Sequence, residues 1–313
     1  MARNTYANIS PDLRMAEIIS AEINLLLKDS TNLMNTPFMK YVGSINGMGT
    51  TTIKYRKAGL MGYDLFSAPS NEDDEIASTS ITDSHVDLTA VRMGLNYELS
   101  DLAELTGMGQ DIDPIVLARS IADSYEGTVA DKVADLFTSF TTSKGTAGSA
   151  LALDDFFDAI FALETAQNPA SLSVGASGPF VCVLAPKQMT ELQDALRSEQ
   201  SNIIAFNPAN ASMLEIKGEQ YAGNLFGVEL YKSAYVEAVS TVLTGAMWGA
   251  DCIGYIDGVP NIQYGGNEVM NMGKIVVEMQ RNALRAITSV VGHAYYGTSI
   301  LDDARGVKIV SLA

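Results

Sequence analysis

The chain has 313 residues, 47% of them hydrophobic and 18% charged, enough for one large or two ordinary domains around a sizeable core and too apolar for a disordered chain. Its formal net charge of −17 argues against a non-specific nucleic-acid binder, which needs a basic face. No apolar run reaches the roughly 18 residues of a membrane-spanning helix, and no signal peptide opens the chain.

Residues 1–42 read as an N-terminal arm. Ser10-Pro11 starts a helix, and Leu13, Ile18, Ile19, Ile23, Leu26 and Leu27 give it a broad apolar face. The polar run Lys28-Asp29-Ser30-Thr31-Asn32 ends it. Such a segment docks on its own body or on a neighbouring subunit, which makes Ile18 and Leu26 candidate interface residues.

Residues 43–98 read as an extended hairpin. Thr50 to Lys57 alternates, with Thr51, Ile53 and Tyr55 on one face and Lys54 and Arg56 on the other. Residues 86–99 read as the return strand. There the apolar set changes phase, from Val86 and Leu88 to Val91, Met93, Leu95, Tyr97 and Leu99, which predicts a bulge or twist. Between the two lies a tip, Ala58 to Ser84, carrying Leu60, Met61, Tyr63, Leu65 and Phe66 and then the acidic run Glu72-Asp73-Asp74-Glu75. A hairpin this long cannot bury itself. Together with Tyr55, those five apolar residues need a cover, and another chain is the natural one.

Asp113 to Phe140 predicts one long helix. Asp113 is placed to cap it, and Pro114 sits at the first helical position, where a missing N–H costs nothing. Ala118, Ala122, Tyr125, Val129, Val133, Leu136 and Phe140 form one stripe, with Gly127 the weak residue inside. A helix with one apolar face, about 40 Å long at roughly 1.5 Å per residue, is a strut and needs something laid along it.

A second helix is predicted from Asp154 to Gln167, with Phe156, Ile160 and Leu163 buried and Phe157 and Phe161 beside them. After the Gly/Ser-rich link 171–179 the texture becomes α/β. Phe180 to Leu184 is a continuous apolar run, the mark of a strand buried on both faces. Pro186 opens a helix carrying Met189, Leu192 and Leu196. Strands are predicted at 225–231, 240–248 and 251–256, and the final block 274–312 alternates again. Cys182 and Cys252 fall in apolar runs and read as small buried hydrophobes in a reducing compartment.

Catalytic and metal-binding patterns are sparse. The chain has 2 histidines, His85 and His293. His293 lies in a small and aromatic strand run and reads as a packed or hydrogen-bonded core histidine. Asp83, His85 and Asp87 share one face of a strand and could hold a divalent cation, but a solvated strand face is the simpler reading. No phosphate-binding glycine loop, dinucleotide fingerprint, Cys-x-x-Cys or calcium loop is present. Gly245 and Gly249, flanking Trp248, read as turn residues. No catalytic residue, cofactor or metal site is expected.

The order of elements, an amphipathic arm, a long hairpin, a long single helix, a compact α/β block and returning strands, resembles the major capsid protein of tailed phages, with its Hong Kong 97-type fold. The resemblance rests on Val91-Arg92-Met93-Gly94-Leu95-Asn96-Tyr97-Glu98-Leu99-Ser100 leading into Asp101-Leu102-Ala103-Glu104-Leu105, and on the helix from Asp113. It rests also on Phe180 to Leu196 and on Gly292-His293-Ala294-Tyr295-Tyr296-Gly297 near the end. It implies an α+β fold with an N-terminal arm (1–42), an extended hairpin loop (43–98) and a peripheral domain with a spine helix (99–177). A central axial α/β domain (178–265) and returning peripheral strands (266–313) complete it. It implies self-assembly as hexamers and pentamers into an icosahedral shell around double-stranded DNA held without sequence-specific binding. Scaffold, portal and decoration proteins are further partners of that family. The implied location is the virion capsid, assembled in the host cytoplasm without a membrane. The acidic charge suits a wall that must not stick to an enclosed polyanion, and equally suits a merely soluble surface. Since the arm begins within ten residues of Met1, a fused scaffold segment is expected to be absent or already removed. An encapsulin-type compartment resembles the same fold, and an α/β enzyme is the more distant alternative.

Overall fold

The computed structural model describes residues 39–57, 84–102, 114–166, 176, 178–198, 206–210, 213–214, 217, 220–236, 238–258, 268–272 and 275–313. The predicted arm helix and the hairpin tip 58–83 lie outside the described residues. The strands, in chain order, are β1 Lys40–Ser44, β2 Thr52–Lys57, β3 Ser84–Thr89, β4 Val91–Ser100, β5 Ser143–Lys144 and β6 Phe180–Leu184. They continue as β7 Phe206–Pro208, β8 Tyr221–Leu225, β9 Val228–Lys232, β10 Ala238–Val239 and β11 Val242–Trp248. The last are β12 Ile253–Gly258, β13 Glu268–Met272, β14 Ile275–Asn282, β15 Ile287–Ile300 and β16 Gly306–Leu312. The long α-helices among the described residues are α1 Pro114–Phe137, α2 Leu153–Glu164 and α3 Pro186–Ser198.

Two sheets carry the fold. The first runs β1-β12-β15-β14-β13, with β4 on the opposite edge of β15, and the second runs β5-β16-β11-β6-β9-β8-β7 with β10 beside β11. β2 and β3 make a separate antiparallel ladder, from Thr52 opposite Thr89 to Lys57 opposite Ser84. The sheets exchange strands across the expected sequence limits. The limit at 42/43 falls inside β1; β12, before residue 266, belongs to the first sheet; and β16, after it, lies in register with β11 from Val242–Leu312 to Trp248–Gly306.

The phase shift after Leu88 is not a bulge within one strand but a break between two sheets. The Ala90 N–H donates to the Thr51 carbonyl at 2.9 Å and closes the ladder, and β4 leaves to pair with β15 from Val91–Tyr296 to Ser100–Ile287. Leu88 and Ala90 are buried in one cluster and Met93 packs on another, so the chain must change the face it buries. In a period-two strand one extra residue accomplishes that.

α1 is 24 residues long, roughly 36 Å at 1.5 Å per residue, and begins at Pro114 as predicted; Asp113 lies outside the described residues. Ala118, Ala122, Tyr125, Val129 and Val133 are buried as the stripe requires, joined by Ile121, Ala130 and Phe137. Leu136 is only half-buried; Phe137 takes its place and ends the helix, and Phe140 reaches the core from the turn beyond. Gly127 is a notch: a Cβ there would stand 3.0 Å from the Tyr235 hydroxyl, which packs over the helix. α1 joins residues of both sheets in one core, with Phe137 against Trp248 at 5.3 Å between ring centres.

α2 and α3 cover the other face of the second sheet. In α2 the buried positions are Leu153, Phe156, Ala159 and Leu163; the predicted Phe161 is 64% exposed, because it sits four residues from Phe157 on the neighbouring face. β6 and α3 match the predicted run and helix, with Met189 and Leu192 buried and Leu196 half-buried. The predicted single strand 225–231 is a hairpin. Phe226 and Gly227, at φ +53° and +83°, make the tight two-residue turn between β8 and β9. Gly245 is not in a turn. It lies mid-strand, where a Cβ would meet the Gln188 Oε1 and the Val183 carbonyl at 2.8 Å. Gln188 is fully buried: its Oε1 accepts from the Ala185 N–H at 3.1 Å, and its Nε2 donates to the carbonyls of Leu243 at 3.3 Å and Ile309 at 3.1 Å. Cys182 and Cys252 are buried and neither is in a disulfide, and burial alone pushes the Cys182 pKa far up.

Candidate assembly surfaces

The hairpin root is built where β1, the β2–β3 ladder and the turn before β12 meet. Leu88, Ala90, Ile256 and Leu301 form its core, with Ile53, Tyr55 and Val86 packed on them. Over this core the Lys40 ammonium lies 3.1 Å from the Asp251 carboxylate and donates to the Tyr55 hydroxyl at 3.3 Å, 5.3 Å from the ring centre. Burial lowers the Lys40 pKa, but hydrogen bonds to Asp251 and Tyr55 more than offset it and the net change is upward. Beside it the Tyr41 hydroxyl donates to Asp257 at 2.9 Å, and burial, then that carboxylate, push its pKa up to about 12. Lys40 thus ties the chain entering the body, the hairpin stem and the second sheet's exit at one point. Nothing in the sequence marked it, since its partners lie 15 and 211 positions away.

Of the eight residues expected at an interface, Tyr55 is the one described, and it is half-buried against its own chain at this root. Leu60, Met61, Tyr63, Leu65, Phe66, Ile18 and Leu26 lie outside the described residues. Their part in any contact rests on the sequence.

β4 is the surface the sequence did not single out. It is one edge of the first sheet, ten residues long, and among the described residues no strand pairs with its outer side. Its apolar row is poorly covered: Val91 is 52% and Leu95 38% exposed, and Met93, Tyr97 and Leu99 are half-buried. A cleft runs between this row and α1, walled by Met93 and Leu95 on one side and Ile121, Ser124, Tyr125 and Thr128 on the other, with Gly292 among its lining. At the far end the Arg281 guanidinium clasps Asp101 through two hydrogen bonds of 3.2 and 2.7 Å, fixing β4 to β14 across β15. Beyond it Leu102 is 73% exposed and, at the β14–β15 turn, Leu284 is 100% exposed. The signal for Leu284 was present: Asn282-Ala283-Leu284-Arg285-Ala286 separates two alternating runs, so its leucine sits at a turn.

His293 is buried and its Nε2 lies 3.0 Å from Glu278 Oε1, a hydrogen-bonded core histidine as the sequence suggested. His85 is exposed with its Nε2 3.6 Å from Asp87, while Asp83 lies outside the described residues. Among the described residues no group of three or more His, Cys, Asp or Glu side chains could hold a metal ion. The exposed apolar features among the described residues are Val91 and Leu95 on β4, the cleft beside α1, and Leu284 at the β14–β15 turn.

A family model described as phage capsid protein matches residues 91–310. No curated protein matches the chain. Among solved structures it resembles a chain from Mycobacterium phage Che8, at 15% identity over 83% of this chain and 84% of that one, with a TM-score of 0.55. It resembles the head structure of Helicobacter pylori bacteriophage KHP40, at 10% identity over 90% and 93% with a TM-score of 0.53. It also resembles the holo-SrpI encapsulin complex from Synechococcus elongatus PCC 7942, at 11% identity over 99% and 90% with a TM-score of 0.53. At such identities the likeness is one of fold, the Hong Kong 97-type capsid fold. The near-equal TM-scores do not separate phage heads from the encapsulin, and the family match is what favours the former.

Proposed function

This chain belongs to the phage capsid protein family and is a shell-forming major capsid protein, and from that premise we propose how it builds the shell. Subunits assemble as hexamers and pentamers into an icosahedral container for the double-stranded DNA of a tailed phage. The hairpin 43–98 and the N-terminal arm reach over neighbouring copies, and the α/β block packs around each local axis. The DNA is held by confinement, without base contacts, and the net charge of −17 limits its adhesion to the wall. The subunit works as a structural protein and not as an enzyme. Scaffold, portal and decoration proteins join it during assembly in the host cytoplasm.

The observation that carries the reading is the hairpin root. A chain that fastens Lys40, Tyr55 and Asp251 together at the base of a hairpin is setting the direction in which that hairpin leaves the body. The encapsulin reading keeps a place because an encapsulin covers 99% of this chain. One preparation decides between them. Particles from infected or expressing cells, treated with nuclease and then opened, should release protected DNA and no stoichiometric second protein. A co-purifying cargo enzyme in place of DNA would overturn the phage reading, and a lasting monomer with every assembly partner present would overturn both.

A further inference from the structure

We infer that the aromatic face formed by Phe157, Phe161 and Phe226, framed by Asp154, Asp158 and Glu164, is a docking surface for a basic segment of a different protein, one that sets lysine or arginine side chains around an apolar anchor. The inference rests on the proposal that other proteins join the subunit and says where one of them binds. Three observations carry it.

The first is the cluster of rings. Phe161 is 64% and Phe226 40% exposed, and Phe157 between them is half-buried. The ring centres of Phe157 and Phe226 are 4.7 Å apart. Phe161 stands one turn along α2 from Phe157, so the three rings make one patch that runs from the helix onto the β8–β9 turn. A single exposed apolar side chain is ordinary, whereas a contiguous patch with a polar rim marks a contact surface.

The second is the backbone of Phe226. Its φ of +53° lies in the left-handed region, which glycine and asparagine enter at little cost and a bulky side chain does not. A two-residue turn of this kind favours Asn-Gly. Here phenylalanine holds the first place, and its ring lies against Phe157 at the surface instead of in the core. Backbone strain kept at an exposed position points to a use for the side chain it carries.

The third is the charge. α2 carries Asp154, Asp155, Asp158 and Glu164 and neither lysine nor arginine. Asp154 and Asp155 suit a helix N-terminus, but the other two acids oppose the helix: Asp158 stands one turn from Asp154 with the same charge, and Glu164 lies in the last turn, at the negative end of the dipole. Lys144 comes within 3.6 Å of Asp158, which is 65% exposed, so water screens that pair and the patch stays acidic. Asp158 and Glu164 lie three residues before and after Phe161, one on each side of its ring. The complement of a ring between two carboxylates is an apolar anchor between two cations. A second copy of this chain brings 37 acidic residues against 20 basic ones, so charge favours a different and basic protein.

The test uses the full chain and a fluorescein-labelled synthetic peptide of lysine and leucine at helical spacing, read by anisotropy, with a control peptide in which serine replaces each leucine. Wild-type protein should bind the leucine peptide about tenfold or more tightly than the control, and added salt should weaken the binding. Phe161→Ser and Asp158→Asn change exposed side chains, so both should melt within a few degrees of wild type and keep its shell yield. Phe161→Ser should nevertheless lose about tenfold in affinity, and Asp158→Asn should lose part of the salt dependence. Phe226→Asn suits the turn, so it should melt no lower than wild type while also losing about tenfold in affinity. Equal binding of the two peptides, or variants that bind as wild type does, would overturn the inference, because the peptide then follows the net charge of the chain and not this patch. A clear drop in melting temperature for Phe226→Asn would overturn it by making the ring a structural prop, and a fall in shell yield for Phe161→Ser would do so by making a second copy the occupant. Peptide binding is read on the protein in any state of assembly, so a chain that binds the peptide as expected but forms no shell would overturn the shell reading and leave the docking surface standing.

Discussion

Val129 is the sharpest place to test the spine. It lies midway along α1, fully buried in the core that α1 shares with both sheets. Val129→Asp loses the transfer free energy of the valine, about 2 kcal/mol. It also buries a carboxyl group with no partner, which costs roughly 2–7 kcal/mol even if the group takes up a proton. The sum, about 4–9 kcal/mol, is comparable to the whole stability of an ordinary domain. The protein should therefore be insoluble or unfolded at every temperature tested. Two companions calibrate the result. Val129→Ala leaves a small cavity and should cost about 2 kcal/mol, seen as a lower melting temperature with assembly retained. Asp131→Ala, on the exposed side of the same helix, should stay within about 0.5 kcal/mol of wild type. The assay is the soluble fraction on expression, followed by thermal unfolding of whatever is soluble. Soluble, particle-forming Val129→Asp would mean that the stripe faces water, and the account of α1 as the organising strut would be refuted.

Deleting residues 58–84 should leave a folded, soluble subunit that no longer assembles stably; an unfolded product in circular dichroism would show that the tip belongs to the core. Mature particles boiled in detergent should run as one band near 33.4 kDa, because the tip 58–84 contains no lysine with which to weld neighbours; a ladder that survives reductant would point to Lys54 or Lys57. The hairpin root should loosen in alkali. The Lys40 and Tyr41 pKa values are both raised in the folded chain, so their contribution is complete below about pH 10 and fades as pH climbs through the folded values, about 12 for Tyr41. Limited proteolysis near residue 50 across pH 8–12 should speed up from about pH 10 onward, and a flat profile, or acceleration on acidification instead, would contradict the assigned contacts.

Much of this protein is legible in its sequence because the signals are local. Pro114 and a 3.6-residue stripe are enough to predict α1, five apolar residues in a row to predict β6, and alternation over Thr50 to Lys57 to predict the hairpin stem found at Thr52–Lys57. Helix phase could also have placed Phe161 outside, since it stands off the face that carries Phe156 and Leu163. Other features were settled by contacts between distant residues, which no local pattern encodes. Phe226 reads as a strand residue, but β8 and β9 both pack in one sheet and force a tight turn on it. Gly245 reads as a turn residue, yet its place is set by Gln188, 57 positions earlier, which must press against the strand. The change of phase at Ala90 is visible in the sequence, but only the pairing of β4 with β15 makes it a passage between sheets. The hairpin root and the place of β4 at the rim of the first sheet belong to this second kind. Local propensity chooses helix or strand within a few residues, while the partner of a strand, and whether its edge is left open, depends on which distant segments reach it first and bury the most surface.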